Sequence, residues 1–239
     1  MTDARTLSRN PVFCALDTPS PDKAARMARQ VGDAVGGLKL GLEFFMAAGP
    51  EGFRTVAKEG RPLFLDLKLH DIPNTVAGAV RSLLPLKPAI LNVHAQGGMA
   101  MMQAARDAAN EAPEGERPLM IAVTMLTSLD QADLERQGNR VAPADYVRRL
   151  AEQAAEAGLD GVVCSAHEIE TLRMELGPDF KLIVPGIRPA GADIGDQKRV
   201  MTPAEARDLG ADILVIGRPI TAADDPAAAA RAIADDLGC

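Results

Sequence analysis

The chain has no tryptophan, a single tyrosine and six phenylalanines, so aromatic residues make up only 3% of its 239 residues. Proteins that grip single-stranded nucleic acid stack bases on aromatic faces, and this chain is poorly supplied for that. Positive charge is also scarce: 26 Lys and Arg stand against 33 Asp and Glu, a net charge of −7. A broad basic surface for nucleic acid or an anionic membrane is therefore not expected, although a local basic pocket remains open. The three cysteines, Cys14, Cys164 and Cys239, are widely spaced and form no CxxC. Two lie in apolar runs, VFCAL and VVCSA, where small buried thiols belong, and this implies a reducing compartment. No apolar run approaches the ~20 residues of a membrane span. The start MTDARTLSRNP is polar and shows no signal-peptide core. A soluble cytoplasmic protein without nucleic-acid or membrane partners is expected.

Apolar, β-rich runs recur along the chain: Val12–Leu16, Gly37–Leu40, Leu63–Leu69, Ile90–Ala95, Leu119–Leu126, Gly161–Ser165, Lys181–Pro185 and Ile213–Gly217. Between and after them come amphipathic or Ala-rich stretches, Pro21–Val35, Glu43–Lys58, Thr75–Leu86, Gly98–Asn110, Pro143–Ala157, Ala166–Leu176, Pro203–Leu209 and Pro226–Leu237. Strands alternating with helices imply a parallel sheet with crossover helices. Eight similar units in this length, without a composition break, favour a single α/β domain over residues 1–239, a closed (β/α)8 TIM barrel, with residues 1–10 a polar lead. Ser20-Pro21, Thr202-Pro203 with Glu205, and Asp225-Pro226 provide caps with Pro in the first turn, and Gly158 and Gly210 provide stops. Thr127–Ala142 and Arg188–Val200 read as long loops at the strands' C-terminal ends, the second as a lid.

The segment LFLDLKLHDIPNT, Leu63 to Thr75, concentrates the chemistry. Four leucines alternate with Phe64, Asp66 and Lys68, so the carboxylate and the ammonium leave the same strand face roughly 6–7 Å apart. In a barrel the C-terminal strand ends converge. That places Asp17, Lys39, Asp66, Lys68 and Asp71 in one alternating network, with Asn92, His94, Thr127, Arg188, Gly217 and Arg218 around the same mouth. Lysines in the middle of apolar strands need a partner or a task. The three aspartates are of the type that holds Mg²⁺, but two lysines in the cluster neutralise them and repel a dication. Gly186-Ile187-Arg188 and Gly217-Arg218 follow the seventh and eighth runs, where barrels commonly bind phosphate, and Arg218 offers a planar fork for it. His94 reads as a supporting hydrogen-bond partner, His70 and His167 as loop or cap residues. No Ser-His-Asp or Cys-His arrangement and no zinc-type spacing is apparent.

LFLDLKLHDIPNTV, with LDTPS, GLKLG, VPGIRP and IGRPIT, closely resembles the orotidine 5′-monophosphate decarboxylase family of the bacterial type, from about Val12 to Thr221. The D-x-K-x-x-D element recurs on other barrels; its combination with Lys39, GIRP and GRPI is specific. The resemblance implies conversion of orotidine 5′-phosphate to uridine 5′-phosphate and CO₂, the last step of de novo UMP synthesis, with no cofactor and no metal. It implies that Lys68 stabilises the C6 carbanion and donates the proton, that Asp66 lies beside the substrate carboxylate, and that Asp71 completes the array. It further implies that Asp17 and Lys39 contact the ribose hydroxyls, that Thr127 sits near the pyrimidine, and that Arg188, Gln197, Gly217 and Arg218 serve the phosphate. A homodimer is implied, with Asp71 and Thr75 reaching into the partner's pocket. Two rival readings remain: an Mg²⁺-dependent sugar-phosphate decarboxylase of the 3-keto-gulonate 6-phosphate type, and a non-catalytic nucleotide-binding barrel. Lys39 and the lack of a further acidic ligand count against the first, and the presence of Lys68 against the second.

Overall fold

The computed structural model describes residues 10–189 and 201–239. Most of the expected polar lead and of the expected lid lie outside these residues, as does Gln197.

Eight parallel strands close into a barrel in chain order: β1 (Val12–Ala15), β2 (Gly37–Gly41), β3 (Leu63–Leu69), β4 (Ile90–His94), β5 (Leu119–Val123), β6 (Gly161–Val163), β7 (Lys181–Pro185) and β8 (Ile213–Ile216). Closure is made by β8 pairing with β1, Val12 opposite Leu214 and Cys14 opposite Ile216. The helices are α1 (Pro21–Val31), α2 (Leu42–Ala57), α3 (Pro73–Leu83), α4 (Met99–Ala109), α5 (Gln131–Arg136), α6 (Pro143–Glu156), α7 (Ile169–Leu176), α8 (Pro203–Asp208), α9 (Arg218–Thr221) and α10 (Pro226–Asp236). A parallel strand needs a crossover to reach its neighbour's start, and the helices supply it while covering the barrel's outer face.

Side-chain alternation sorts the core into two layers. Phe13, Phe64, Ile90, Ile121, Ile183 and Ile213 fill the barrel interior. The opposite register, including Cys14, Leu38, Leu65, Leu91 and Leu214, packs against the helices. The inner layer plugs the barrel, and Lys39, Asp66, Lys68 and Asn92 lie on its C-terminal side.

The helix signals read from the sequence form as caps. Ser20 accepts the Lys23 N–H, Asp225 accepts the Ala228 N–H, and Thr202 with Glu205 closes a capping box. Gly158 and Gly210 adopt φ of +77° and +107°, left-handed values that glycine tolerates best. Several strands end earlier than their apolar runs, and Leu126, beyond β5, is exposed. Thr127–Ala142 is not a structureless loop. It contains α5, started by a capping box between Asp130 and Asp133.

Candidate active site

The mouth of the barrel is built around a departure from regular pairing on β3. Leu65 pairs with Leu91 and Leu69 with Val93, so four residues advance on β3 while two advance on β4. Lys68 sits in this irregularity with φ +53°, a conformation that costs an ordinary L-residue about 1–2 kcal/mol. The bulge aims the side chains of Asp66 and Lys68 into the same space. Lys68 Nζ donates to Asp66 Oδ1 at 2.6 Å.

From there a chain of alternating charge runs across three strands. Asp66 Oδ2 is 3.5 Å from Lys39 Nζ on β2, and Lys39 Nζ donates to Asp17 Oδ1, just past β1, at 3.3 Å. The four side chains are unequally buried: Lys39 and Asp66 are 11% and 12% exposed, Lys68 35% and Asp17 65%. The interior of the chain is thus largely buried and its two ends are the more exposed. Gly41 leaves room for it, since a Cβ there would lie 3.2 Å from Lys39 Nζ. Burial alone raises the Asp66 carboxyl pKa. The positive charges of Lys39 and Lys68, with hydrogen bonds from Lys68 and Asn92, outweigh burial and hold it below the usual carboxylate range. Asp66 is therefore ionised at neutral pH.

The cleft over this chain is lined by Lys39, Asp66 and Lys68, by the apolar Val123, Met125, Val163 and Ile183, and by Thr127. Cys14 and Cys164 are buried thiols, as their apolar runs predict. Burial, with Asp17 nearby, pushes Cys14 up to about 12, and burial raises Cys164 further; neither is a thiolate at neutral pH. Among the described residues, no group of three or more His, Cys, Asp or Glu side chains is arranged to hold a metal ion.

The sequence of the chain matches the profile of the family described as orotidine 5′-phosphate decarboxylase / HUMPS over residues 10–233. The chain belongs to this family. It is 56% identical to the orotidine 5′-phosphate decarboxylase of Rhodospirillum rubrum, over 97% of this chain and 95% of that protein. It is 51% identical to the enzyme of that name from Moorella thermoacetica, over 98% and 94%. The crystal structure of orotidine 5′-phosphate decarboxylase from Lactobacillus acidophilus superposes with a TM-score of 0.85 at 37% identity, covering 96% of this chain and all of that one.

The remaining candidates take different places around the family's barrel mouth. Gly217 caps α9 beside Asp17: a Cβ at Gly217 would lie 3.6 Å from Asp17 Oδ2. Arg218 follows it and is exposed. Arg188 is buried, and its guanidinium donates to the Ile187 carbonyl at 3.1 Å. Asp71 stands apart from the charged chain. It is exposed, its carboxylate accepts the Ile72 N–H at 2.7 Å, and it makes no ion pair among the described residues. Thr75, in the first turn of α3, is likewise exposed. His94 contacts His70, ring centroids 5.6 Å apart, and burial, reinforced by His70 and Lys68, lowers its pKa so that it stays neutral. The residue that reading by motif underrates is Asn92. It is fully buried and bonded to both Asp66 and Lys68. Its signal in the sequence is an amide at an inward position of β4 between Leu91 and Val93.

Proposed function

We propose that this carbon–carbon lyase, a family member of the barrel type, decarboxylates orotidine 5′-phosphate to uridine 5′-phosphate, as the last cytoplasmic step of de novo UMP synthesis, with neither cofactor nor metal. The observation that carries the reading is the unbroken Asp17–Lys39–Asp66–Lys68 chain beside an apolar cleft.

The chemistry asks for such an array. Loss of CO₂ from C6 leaves an electron pair in an sp² orbital that the pyrimidine ring delocalises poorly. With no cofactor to accept it, stabilisation has to be electrostatic, from charge already fixed in place. Lys68 is that charge. Asp66 holds its ammonium at one geometry, and Lys39 on the far side keeps Asp66 ionised. The substrate carboxylate, seated beside Asp66, meets a like charge that disappears as CO₂ leaves. Lys68 then passes a proton to C6 and recovers one from solvent. Lys39 and Asp17 present an ammonium and a carboxylate to the ribose hydroxyls, and Thr127 borders the base. Arg188, Gln197, Gly217 and Arg218 take the phosphate. Barrier reductions on the order of 20 kcal/mol belong to the most demanding enzymes, so binding energy from the phosphate end has to contribute at the reacting carbon.

A homodimer completes the site in this reading. Leu42, Met46 and Ile72 are 51%, 70% and 67% exposed. Leu42 and Met46 lie in the first turns of α2 after β2, and Ile72 lies between Asp71 and α3 after β3; pairing them across two copies removes apolar surface from water. The decisive experiment is a spectrophotometric assay of purified, chelator-treated protein with orotidine 5′-phosphate. Undiminished turnover in excess EDTA is expected. Loss on chelation with recovery on adding Mg²⁺ would transfer the reading to an enediolate-forming sugar-phosphate decarboxylase.

A further inference from the structure

Asn92 has no side-chain exposure and lies on β4 facing the irregular part of β3. Within the irregular stretch of β3 between Leu65 and Leu69, the Lys68 N–H takes a side chain of β4 as its partner: it donates to Asn92 Oδ1 at 2.7 Å. Because an N–H can meet only an acceptor, the orientation of the amide is fixed, and its Nδ2 donates to Asp66 Oδ1 at 2.7 Å. Asp66 Oδ1 thereby receives two donors, this amide and the Lys68 ammonium, while Oδ2 faces Lys39.

We infer that Asn92 is a positioning residue for Lys68, bracing the lysine's left-handed backbone with its carbonyl and the lysine's carboxylate partner with its amide. One planar side chain thus holds both ends of the path from the Lys68 backbone to its ammonium. A barrel strand carrying only aliphatic residues could support the bulge by packing, but it would leave the Lys68 N–H unpaired and Asp66 Oδ1 a donor short. Asn92 acts before and during bond cleavage without touching substrate. The inference rests on the decarboxylase reading above.

Two substitutions test it. Asn92→Ala removes both hydrogen bonds. Asn92→Asp keeps an acceptor for the Lys68 N–H but sets a second carboxylate against Asp66. Position 92 is bonded to the Lys68 N–H and to Asp66 on β3; Asp66 in turn holds the Lys68 and Lys39 ammonium groups, Lys39 meets Asp17, and His94, two residues on along β4, contacts His70. Two carboxylates in contact share a proton more readily than either alone holds one, and the shared proton restores a donor toward Asp66. For Asn92→Ala the expected result is a kcat at least roughly 30-fold lower, with KM for orotidine 5′-phosphate and Kd for uridine 5′-phosphate within threefold of wild type. For Asn92→Asp, kcat relative to wild type is expected to rise as pH falls from 8 to 6, a response that a loss of packing does not produce. An unchanged kcat in either folded variant, or equal losses in kcat and in uridine 5′-phosphate affinity, overturns the inference. If Asn92→Ala fails to fold, the Asn92→Asp pH profile decides alone, and a flat ratio overturns it. Absence of turnover in the wild-type protein would instead defeat the decarboxylase reading.

Discussion

Carboxylates sit at both ends of this barrel, and they are used in opposite ways. At the N-terminal end, Asp160 and Asp212 each stand at the start of a strand, two residues after a glycine in the left-handed region, Gly158 and Gly210. Asp160 Oδ2 accepts the Met120 N–H at 2.7 Å and pairs with Arg117 at 2.8 Å. Asp212 repeats the device: its Oδ2 accepts the Leu182 N–H at 2.9 Å and pairs with Arg173, and its Oδ1 faces Lys181 at 3.1 Å. There each carboxylate accepts from a backbone N–H and from an Arg that also binds neighbouring carbonyls, and Asp212 takes Lys181 as well. At the C-terminal end, Asp66 holds two lysines, and one of them, Lys68, is left a third exposed to an apolar cleft. The first arrangement ties strands together. The second stores a positive charge and points it outward. Neither the residue type nor the degree of burial separates them; what differs is whether the cation has anything left to do.

The largest effect that would break this contrast is at Lys68. Replacing it with alanine removes the stored charge and leaves Asp66 with Lys39 and Asn92 as partners, so the fold survives. The expected loss in kcat is roughly 10³-fold or more, judged from the removal of single preorganised donors in other active sites, with uridine 5′-phosphate still bound. Steady-state assays together with a titration of the product check it, and a variant turning over at near-native rate would leave the charged chain without a function. The next effect in size belongs to the opposite end. Asp212→Asn keeps the shape but weakens the bonds to Arg173, Lys181 and the Leu182 amide. Stability should fall by about 2 kcal/mol, in the range for disturbing a charged, partly buried hydrogen-bond centre. The kcat should stay within twofold. Urea unfolding beside the same activity assay reads both quantities, and a large loss of activity at unchanged stability would erase the distinction between the two ends.

Much of this division was legible in the sequence. The alternation of Leu63 through Leu69 with Phe64, Asp66 and Lys68 needs only the two-residue period of a strand, and eight such runs impose closure. Lys39 declares itself because an ammonium between Leu38 and Leu40 has to find a partner. The bulge could not be read. It depends on how β3 and β4 slip past each other after Leu65, which no local propensity encodes, and a lysine in a left-handed conformation looks like any other lysine in the chain. The place of Asn92 at the mouth was legible from its run, but its bonds to Asp66 and to the Lys68 N–H were not, because they depend on the bulge. The helix within Thr127–Ala142 was concealed by its short span and by an Asp, rather than a Glu or Gln, at the third position of the capping box. Its start at Asp130 was still there to be found.

The smallest effect sharpens the comparison by pH. The Lys39 and Lys68 charges and the hydrogen bonds on Asp66 hold its folded pKa below the ordinary value of 3.8. A carboxyl depressed in the folded state stabilises the protein fully above its unfolded pKa. That contribution fades as pH falls below about 4 and through the lower folded value. Wild type and Asp66→Asn should therefore differ by a constant amount of unfolding free energy from neutral pH down to about pH 5, because the other carboxyls titrate alike in both. Below about pH 4 the difference should shift against wild type, since only wild type has this carboxylate left to protonate. Denaturant unfolding at a series of pH values isolates the effect. A difference that stays level down to pH 2 would mean that the lysines do not hold Asp66 ionised, and Asp66 would then be no more committed to its cations than an exposed aspartate.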